Sequence, residues 1–284
     1  MSDELREQLT QMLGVAVQGP MVAVGRGYTP ALRRLARLAD GRRVFVKAAT
    51  NTSTAQWLRD EQRIYTTLQA PFLAHHIAYA DGERPVMVLE DLSEAHWPPA
   101  WRPGDIASVR ATMAAIAARS PAHIPPIDAS IFQTGWQTVA ADPEPFLSLG
   151  HVGAAWLSRA LPQLIAAALA VDLSGDALLH GDLRSDNLCL RGDQAILVDW
   201  NYACLGSPDV DTAFWLPSLE IEGGGVPESI LPCEPGLAAV VSGFFACRAG
   251  LPLIPQAPRV RHIQQRQLSS ALPWAIRALG LPTP

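Results

Sequence analysis

Lysine is almost absent from this chain: Lys47 stands alone against twenty-one arginines. Where positive charge by itself suffices the chain uses arginine, so position 47 asks for something a guanidinium fork does not supply. A compact ammonium on a flexible stem fits between closely spaced anionic oxygens. Cysteine is sparse too, and Cys189, Cys204, Cys233 and Cys247 form no C-x-x-C pair. That spacing excludes the common zinc-ribbon and dithiol motifs and reads as four reduced thiols. Long apolar runs are missing; the best, Leu164–Val171, is far too short to span a bilayer. The start, Met1-Ser-Asp-Glu-Leu-Arg6, is charged and does not read as a signal peptide. A cytoplasmic protein without a membrane segment is expected. The net charge of −5 removes the electrostatic case for nucleic acid. No internal repeat or long low-complexity tract is present.

What the chain does have is Leu178-Leu-His-Gly-Asp-Leu-Arg-Ser-Asp-Asn-Leu188, followed by Ile196-Leu-Val-Asp-Trp200. His180, Asp182 and Asn187 form H-x-D-x-x-x-x-N, and Asp199 closes an apolar run twelve residues later. Phosphoryl transfer of the kinase kind needs a carboxylate to receive the attacking hydroxyl's proton. It also needs an amide oxygen and a second carboxylate for Mg²⁺ on the phosphates. Leu188–Leu190, the turn Arg191-Gly-Asp-Gln194 and Ala195–Val198 predict a β-hairpin that brings Asn187 and Asp199 toward one metal. Lys47 lies in Arg42-Arg-Val-Phe-Val-Lys-Ala48, an alternating strand pattern entered through the turn dipeptide Asp40-Gly41.

These residues resemble the aminoglycoside phosphotransferase/choline kinase-like family, whose fold is that of protein kinases. The resemblance runs from about residue 20 to Phe214 and implies an α+β, two-lobed fold, with a small strand-rich N-lobe and a larger, mainly helical C-lobe. It divides the chain into residues 1–92, a nucleotide-binding sheet plus helix, and 93–284, with catalytic loop, metal site and acceptor pocket. It implies that Asp182 is the catalytic base and that Asn187 and Asp199 hold Mg²⁺. Lys47 would contact the ATP phosphates and Glu61 would hold Lys47. Asp211 would brace the catalytic loop, with His180 as scaffold. Adenine would meet backbone groups near Glu90–Leu92.

Two departures stand out. Arg184 replaces the histidine common in that family two residues after the catalytic aspartate. It is expected either to neutralise the γ-phosphate or to pair with a neighbouring acid. The phosphate loop Gly25-Arg-Gly-Tyr-Thr-Pro30 has Gly25 and Gly27 but lacks a full G-x-G-x-x-G. The next stretch, Ala31–Leu38, reads locally as helix, whereas the resemblance makes it a strand; the strand is the expectation adopted. Helices are expected at about 3–14, around Glu61 in Thr54–Leu68, at 105–118, at 151–171 with a bend at Pro162, and twice after Pro235, interrupted at Pro252–Pro258.

From Gly192 to Cys247 there is no lysine or arginine, yet there are eight acids. The resemblance implies that this part of the C-lobe lines the acceptor pocket; with Trp200 and Trp215 as flat faces, Asp209, Glu220 and Glu222 there would suit a cationic small-molecule acceptor such as an aminoglycoside, amino sugar or amino alcohol. Gly223–Gly225 reads as a lid or a turn. The expected activity is ATP- and Mg²⁺-dependent phosphorylation of a hydroxyl. A nucleotide-binding pseudokinase acting as an interaction module, or a metal-dependent hydrolase, are the competing readings. The oligomeric state is open.

Overall fold

The computed structural model describes residues 2–25, 27 and 30–284. Its contacts divide the chain into two compact units, Met1–Pro98 with Asp186–Ala203, and Pro99–Ser185 with Cys204–Pro284.

The first unit opens with helix α1 (Ser2–Leu13), then strands β1 (Val17–Ala23), β2 (Leu32–Leu38) and β3 (Arg43–Ala48), helix α2 (Thr52–Thr67), and strands β4 (His76–Ala80) and β5 (Val86–Glu90). The strands form one antiparallel sheet in the order β1-β2-β3-β5-β4. Strand alternation gives the sheet two faces. Ala36, Leu38, Val44, Val46, Val86 and Val88 point to one, where they pack with Leu5 and Leu9 of α1. Burial of each of these valine and leucine side chains contributes roughly 1.5–3 kcal/mol. Arg33, Leu35, Phe45, Lys47 and Leu89 alternate with them and line a cavity on the other face. Ala31–Leu38 is thus a strand from Leu32, as the resemblance implies. Its helix-like local pattern is overridden by ladders on both sides, to β1 and β3.

Helix α2 starts at a capping box in which the Asn51 side chain accepts from Thr54 N and Thr54 Oγ1 accepts from Asn51 N. Its buried stripe of Ala55, Leu58, Glu61, Ile64 and Tyr65 has helical spacing. A carboxylate therefore sits inside an apolar face.

In the second unit α3 (Asp105–Ala117), the short α4 (Ala129–Gln133), α5 (Gly135–Ala141) and α6 (Glu144–Leu147), and α7 (Ala154–Ala170) come first. Helix α7 runs through Pro162. Strand β6 (Ala177–Leu179) leads to the H-x-D segment. The chain then contributes β7 (Leu188–Arg191) and β8 (Gln194–Leu197) to the first unit, paired as the expected hairpin. Back in the second unit, β9 (Cys204–Gly206) pairs with β6, and α8 (Asp209–Ile221), α9 (Pro235–Ala249) and α10 (Arg259–Ala278) follow. Helix α9 is the buried axis of this unit, with Leu237–Gly243, Phe245 and Ala246 all inside. Gly135 is required where α5 meets it, because a Cβ there would lie 2.2 Å from Gly243 O. Among the described residues no helix is long and apolar enough to cross a membrane.

Candidate active site

Lys47 points from β3 into the cavity of the first unit, and its Nζ lies 2.5 Å from both Glu61 Oε2 and Asp199 Oδ1. Lys47 and Glu61 are buried, at 6% and 1% exposure. Burial alone would lower the Lys47 pKa, but Asp199 and Glu61 outweigh it and hold the ammonium above its ordinary value. One ammonium facing two carboxylates cannot fully satisfy both. Glu61, pushed up by burial and by the charge of Asp199, stays above the usual carboxylate range despite Lys47.

The hairpin places the other groups. Val198 N donates to Asn187 O (2.9 Å), tying the end of β8 to the start of β7, and both Asn187 and Asp199 line the same cavity. Asp199 has φ +70°, a left-handed conformation that Asp tolerates better than most residues. In the orientation that satisfies both ends of its amide, Asn201 donates to Asp199 O (3.1 Å) and Oδ1 (2.9 Å). The cavity encloses about 220 Å³ and its wall continues through Gly27, Glu90, Asp91 and Leu92 to Trp97. Glu90 is fixed by His75 N (2.9 Å) and Arg191 Nη2 (2.6 Å). The Leu92 carbonyl already accepts from Ala95 N and Trp97 Nε1, so a bound base would use other backbone groups here. Of the expected phosphate loop, Gly27 lines the cavity, Gly25 is not among its lining residues, and Arg26, Tyr28 and Thr29 lie outside the described residues.

The second unit holds the H-x-D segment. His180 N and Gly181 N donate to Asp211 Oδ2 (2.6 Å) and Oδ1 (2.9 Å) from the first turn of α8. Asp182 N donates to His180 Nδ1 at 3.3 Å, and His180 is fully buried. Burial pushes the Asp211 carboxyl up to about 6 against these two backbone hydrogen bonds. Arg184 Nη1 donates to Asp182 Oδ1 at 2.7 Å, so of the two expectations for Arg184 the geometry has the pairing with a neighbouring acid.

The acceptor-pocket expectation needs correction at its aromatic faces. Trp200 and Trp215 are both completely buried. Trp200 belongs to the first unit, packs on Phe72 (ring centroids 5.8 Å) and donates to Leu197 O. Trp215 packs on Trp101 (5.7 Å). Their large apolar area is worth more in the core than at a ligand surface. The acids differ among themselves. Glu222 accepts from Ser185 Oγ and from Trp101 Nε1 (3.1 Å). Glu220 accepts from Ser270 Oγ and lies 4.0 Å from Arg277 Nη2. Asp209 is exposed in the first turn of α8. The Gly223–Gly225 loop closes α8: Gly223, at φ +85°, and Gly224 donate to Glu220 O and Leu219 O.

Sequence reasoning missed Arg33, Asn201, Ser185 and Trp101. A strand reading of Leu32–Leu38 set against β3 contained the signal for Arg33, since both strands alternate and Arg33 falls opposite Lys47. The partners of Glu222 had none, being 37 and 121 residues away.

A family model described as the phosphotransferase enzyme family matches residues 25–228. No curated protein matches the chain in sequence. Among solved structures, a choline/ethanolamine kinase family protein from Mesorhizobium loti aligns over 98% of each chain at 16% identity, with a TM-score of 0.64. A thermostable mutant of an aminoglycoside phosphotransferase, in a ternary complex with ADP and hygromycin B, aligns over 99% of each chain at 14% identity and TM-score 0.62. An aminoglycoside phosphotransferase from Alicyclobacillus acidocaldarius aligns over 92% of this chain and 90% of its own, at 16% identity and TM-score 0.56. At such identities the likeness is one of fold, and it is the two-lobed protein-kinase-like one.

Proposed function

The chain belongs to the phosphotransferase enzyme family, and from that membership we propose an ATP- and Mg²⁺-dependent small-molecule kinase that phosphorylates a hydroxyl of a cationic acceptor. The observation that carries this reading is the convergence of Lys47, Glu61, Asn187 and Asp199 on one cavity. A lone lysine clamped between two carboxylates is positioned to exchange one of them for phosphate oxygens.

The donor set at the cavity suits Mg²⁺. Asn187 offers an amide oxygen and Asp199 a carboxylate, and a hard octahedral ion takes few protein ligands when phosphates and waters complete its shell. Among the described residues no three His, Cys, Asp or Glu side chains cluster as a self-sufficient metal cage. When bound, the ion would neutralise charge on the phosphates. The chain's own residues do the rest. Lys47 binds phosphate, Glu61 holds Lys47 in place, and Glu90–Leu92 supplies backbone to the base. Asp182 orients the acceptor hydroxyl and takes its proton, kept in position by Arg184 and by the Asp211 brace under His180 and Gly181. We assign nucleotide binding to residues 1–92 and the catalytic loop, metal ligands and acceptor pocket to 93–284.

A cationic acceptor is supported by the lack of any basic residue from Gly192 to Cys247 and by Glu222, whose two oxygens are oriented by Ser185 and Trp101. Glu220 supports it less, with Arg277 nearby. None of the four cysteines is in a disulfide among the described residues, which fits a reducing compartment such as the cytoplasm.

The test is Mg·ATP-dependent ADP release across aminoglycosides, amino sugars, choline and neutral sugars, with Asp182→Asn as blank. Acceptor-dependent turnover that the blank abolishes supports the kinase and names its substrate class. Nucleotide binding with no turnover on any acceptor turns the reading toward a pseudokinase, and acceptor-independent phosphate release toward a hydrolase.

A further inference from the structure

We propose that the corner where α9 passes into α10 is a docking surface for an anionic lipid bilayer, a peripheral contact separate from phosphoryl transfer. Charge is divided sharply along this chain. Residues 235–284 hold five arginines and no acid, whereas the preceding 234 residues hold seventeen cations and twenty-seven acids, a net −10. Of the five arginines, Arg277 faces Glu228 and Glu220 from the last turn of α10. The other four, Arg248, Arg259, Arg261 and Arg266, form no ion pair among the described residues.

The fold gathers these four at one place. Arg259, His262 and Arg266 follow one another at i, i+3 and i+7 along α10 and are all exposed, so they share its solvent face. Arg261 Nε donates to Pro252 O at 3.2 Å, which fastens the Leu251–Leu253 loop to the first turn of α10. Arg248 Nη2 donates to Ile131 O, also at 3.2 Å, and brings α4 to the same corner. Burial and the charge of Arg248 hold Arg261 below its ordinary pKa, as expected of neighbouring cations. The first turn of α10 contains no acid, although the positive end of a helix favours acids and disfavours Arg259 and Arg261. Nothing on this face offsets the repulsion, so an anionic surface laid against it would.

Apolar side chains supply the second observation. Leu251, Leu253 and Ile131 are 36%, 55% and 47% exposed, and they belong to the two segments that Arg261 and Arg248 fasten. Leucines set among arginines distinguish between anionic partners. A nucleic acid backbone would use the guanidiniums and leave the leucines in water. An acidic peptide would need a groove for apolar anchors, whereas Leu251 and Leu253 stand out from a loop stiffened by Pro252. A bilayer surface takes both, with headgroup phosphates on the arginines and the leucines in the interfacial layer. The net −10 of the remaining residues repels the same bilayer, which leaves this corner as the face presented to it.

The test is co-sedimentation of the full chain with vesicles of phosphatidylcholine alone and of equimolar phosphatidylcholine and phosphatidylserine, at low and at physiological salt. Wild type is expected to bind the anionic vesicles selectively and to lose part of that binding as salt rises. Arg259→Gln/Arg266→Gln should weaken binding by about 10–30-fold, in the range of two basic residues at an anionic surface. Leu253→Ser should weaken it by about 3–10-fold through lost apolar insertion. Arg110→Gln/Arg159→Gln, which removes two exposed arginines on α3 and α7, should bind like wild type. All these positions are exposed, and circular dichroism checks that each variant is folded. No preference for anionic vesicles overturns the proposal, and so does an equal loss in Arg110→Gln/Arg159→Gln. Polyglutamate in solution is the probe for an acidic protein partner. If it displaces wild type from the vesicles while Leu253→Ser binds them unchanged, the surface is a site for acidic protein and the lipid assignment falls.

Discussion

Lys47 and Glu61 form an ion pair 2.5 Å long, with both side chains at 8% exposure or less. The partners are 14 residues apart, one on a sheet face and one in the apolar stripe of α2. Taking both charges out of water costs several kcal/mol, and Asp199 at the far side of the ammonium offsets part of that cost. The pair is thus one side of a three-residue arrangement whose other side faces the cavity.

That arrangement predicts that arginine will not replace the lysine. A guanidinium at position 47 is too broad to fit between two oxygens at 2.5 Å without displacing Glu61 or Asp199. Lys47→Arg should lower kcat/KM for nucleotide by about 10²–10³-fold, the range seen when one electrostatic donor is lost. Steady-state kinetics check this, and full activity in Lys47→Arg would refute the argument from lysine scarcity.

Glu61→Gln removes the holder but leaves Lys47 with Asp199. The loss of a charge-assisted, buried hydrogen bond should reduce stability by about 1–3 kcal/mol and raise the KM for nucleotide, because Lys47 is then held closer to Asp199. Urea unfolding and KM are the measurements. Wild-type values for both would reduce Glu61 to an ordinary helix residue.

For Asp182→Asn the expected loss is in kcat, by roughly 10²–10⁴-fold, as for a general base. Nucleotide affinity should be nearly kept, since the proposed nucleotide contacts come from other residues. Turnover close to wild type would remove Asp182 from the mechanism.

Asp211 gives a pH prediction. Burial raises its carboxyl from an ordinary 3.8 to about 6, so between those values the folded protein binds a proton that the unfolded chain does not. Stability from this group is complete below about pH 3.8 and is lost as pH rises through about 6. The difference amounts to roughly 3 kcal/mol at 1.36 kcal/mol per pKa unit. Asp211→Asn cannot titrate, so the stability of wild type relative to this variant should fall between pH 4 and pH 7. A relative stability that stays level, measured by denaturant unfolding across that range, would show that Asp211 titrates at its ordinary value.

Much of this candidate site is legible in the sequence. The spacing from His180 through Asp182 to Asn187, the turn at Arg191–Gln194 and the scarcity of lysine are properties of the covalent chain. Turn chemistry and strand alternation convert them into a hairpin flanked by an amide and a carboxylate side chain, Asn187 and Asp199, with no distant partner needed. Tertiary structure alone decided what depends on distant residues. Leu32–Leu38 is a strand because β1 and β3 claim its backbone. Register with β3, not any local pattern, put Arg33 beside Lys47. Trp200 and Trp215 went to the core because burial rewards their apolar area wherever the chain can enclose it. Glu61 became a buried partner because the stripe of α2 faces inward, and its charge is held there by an ammonium from a different element.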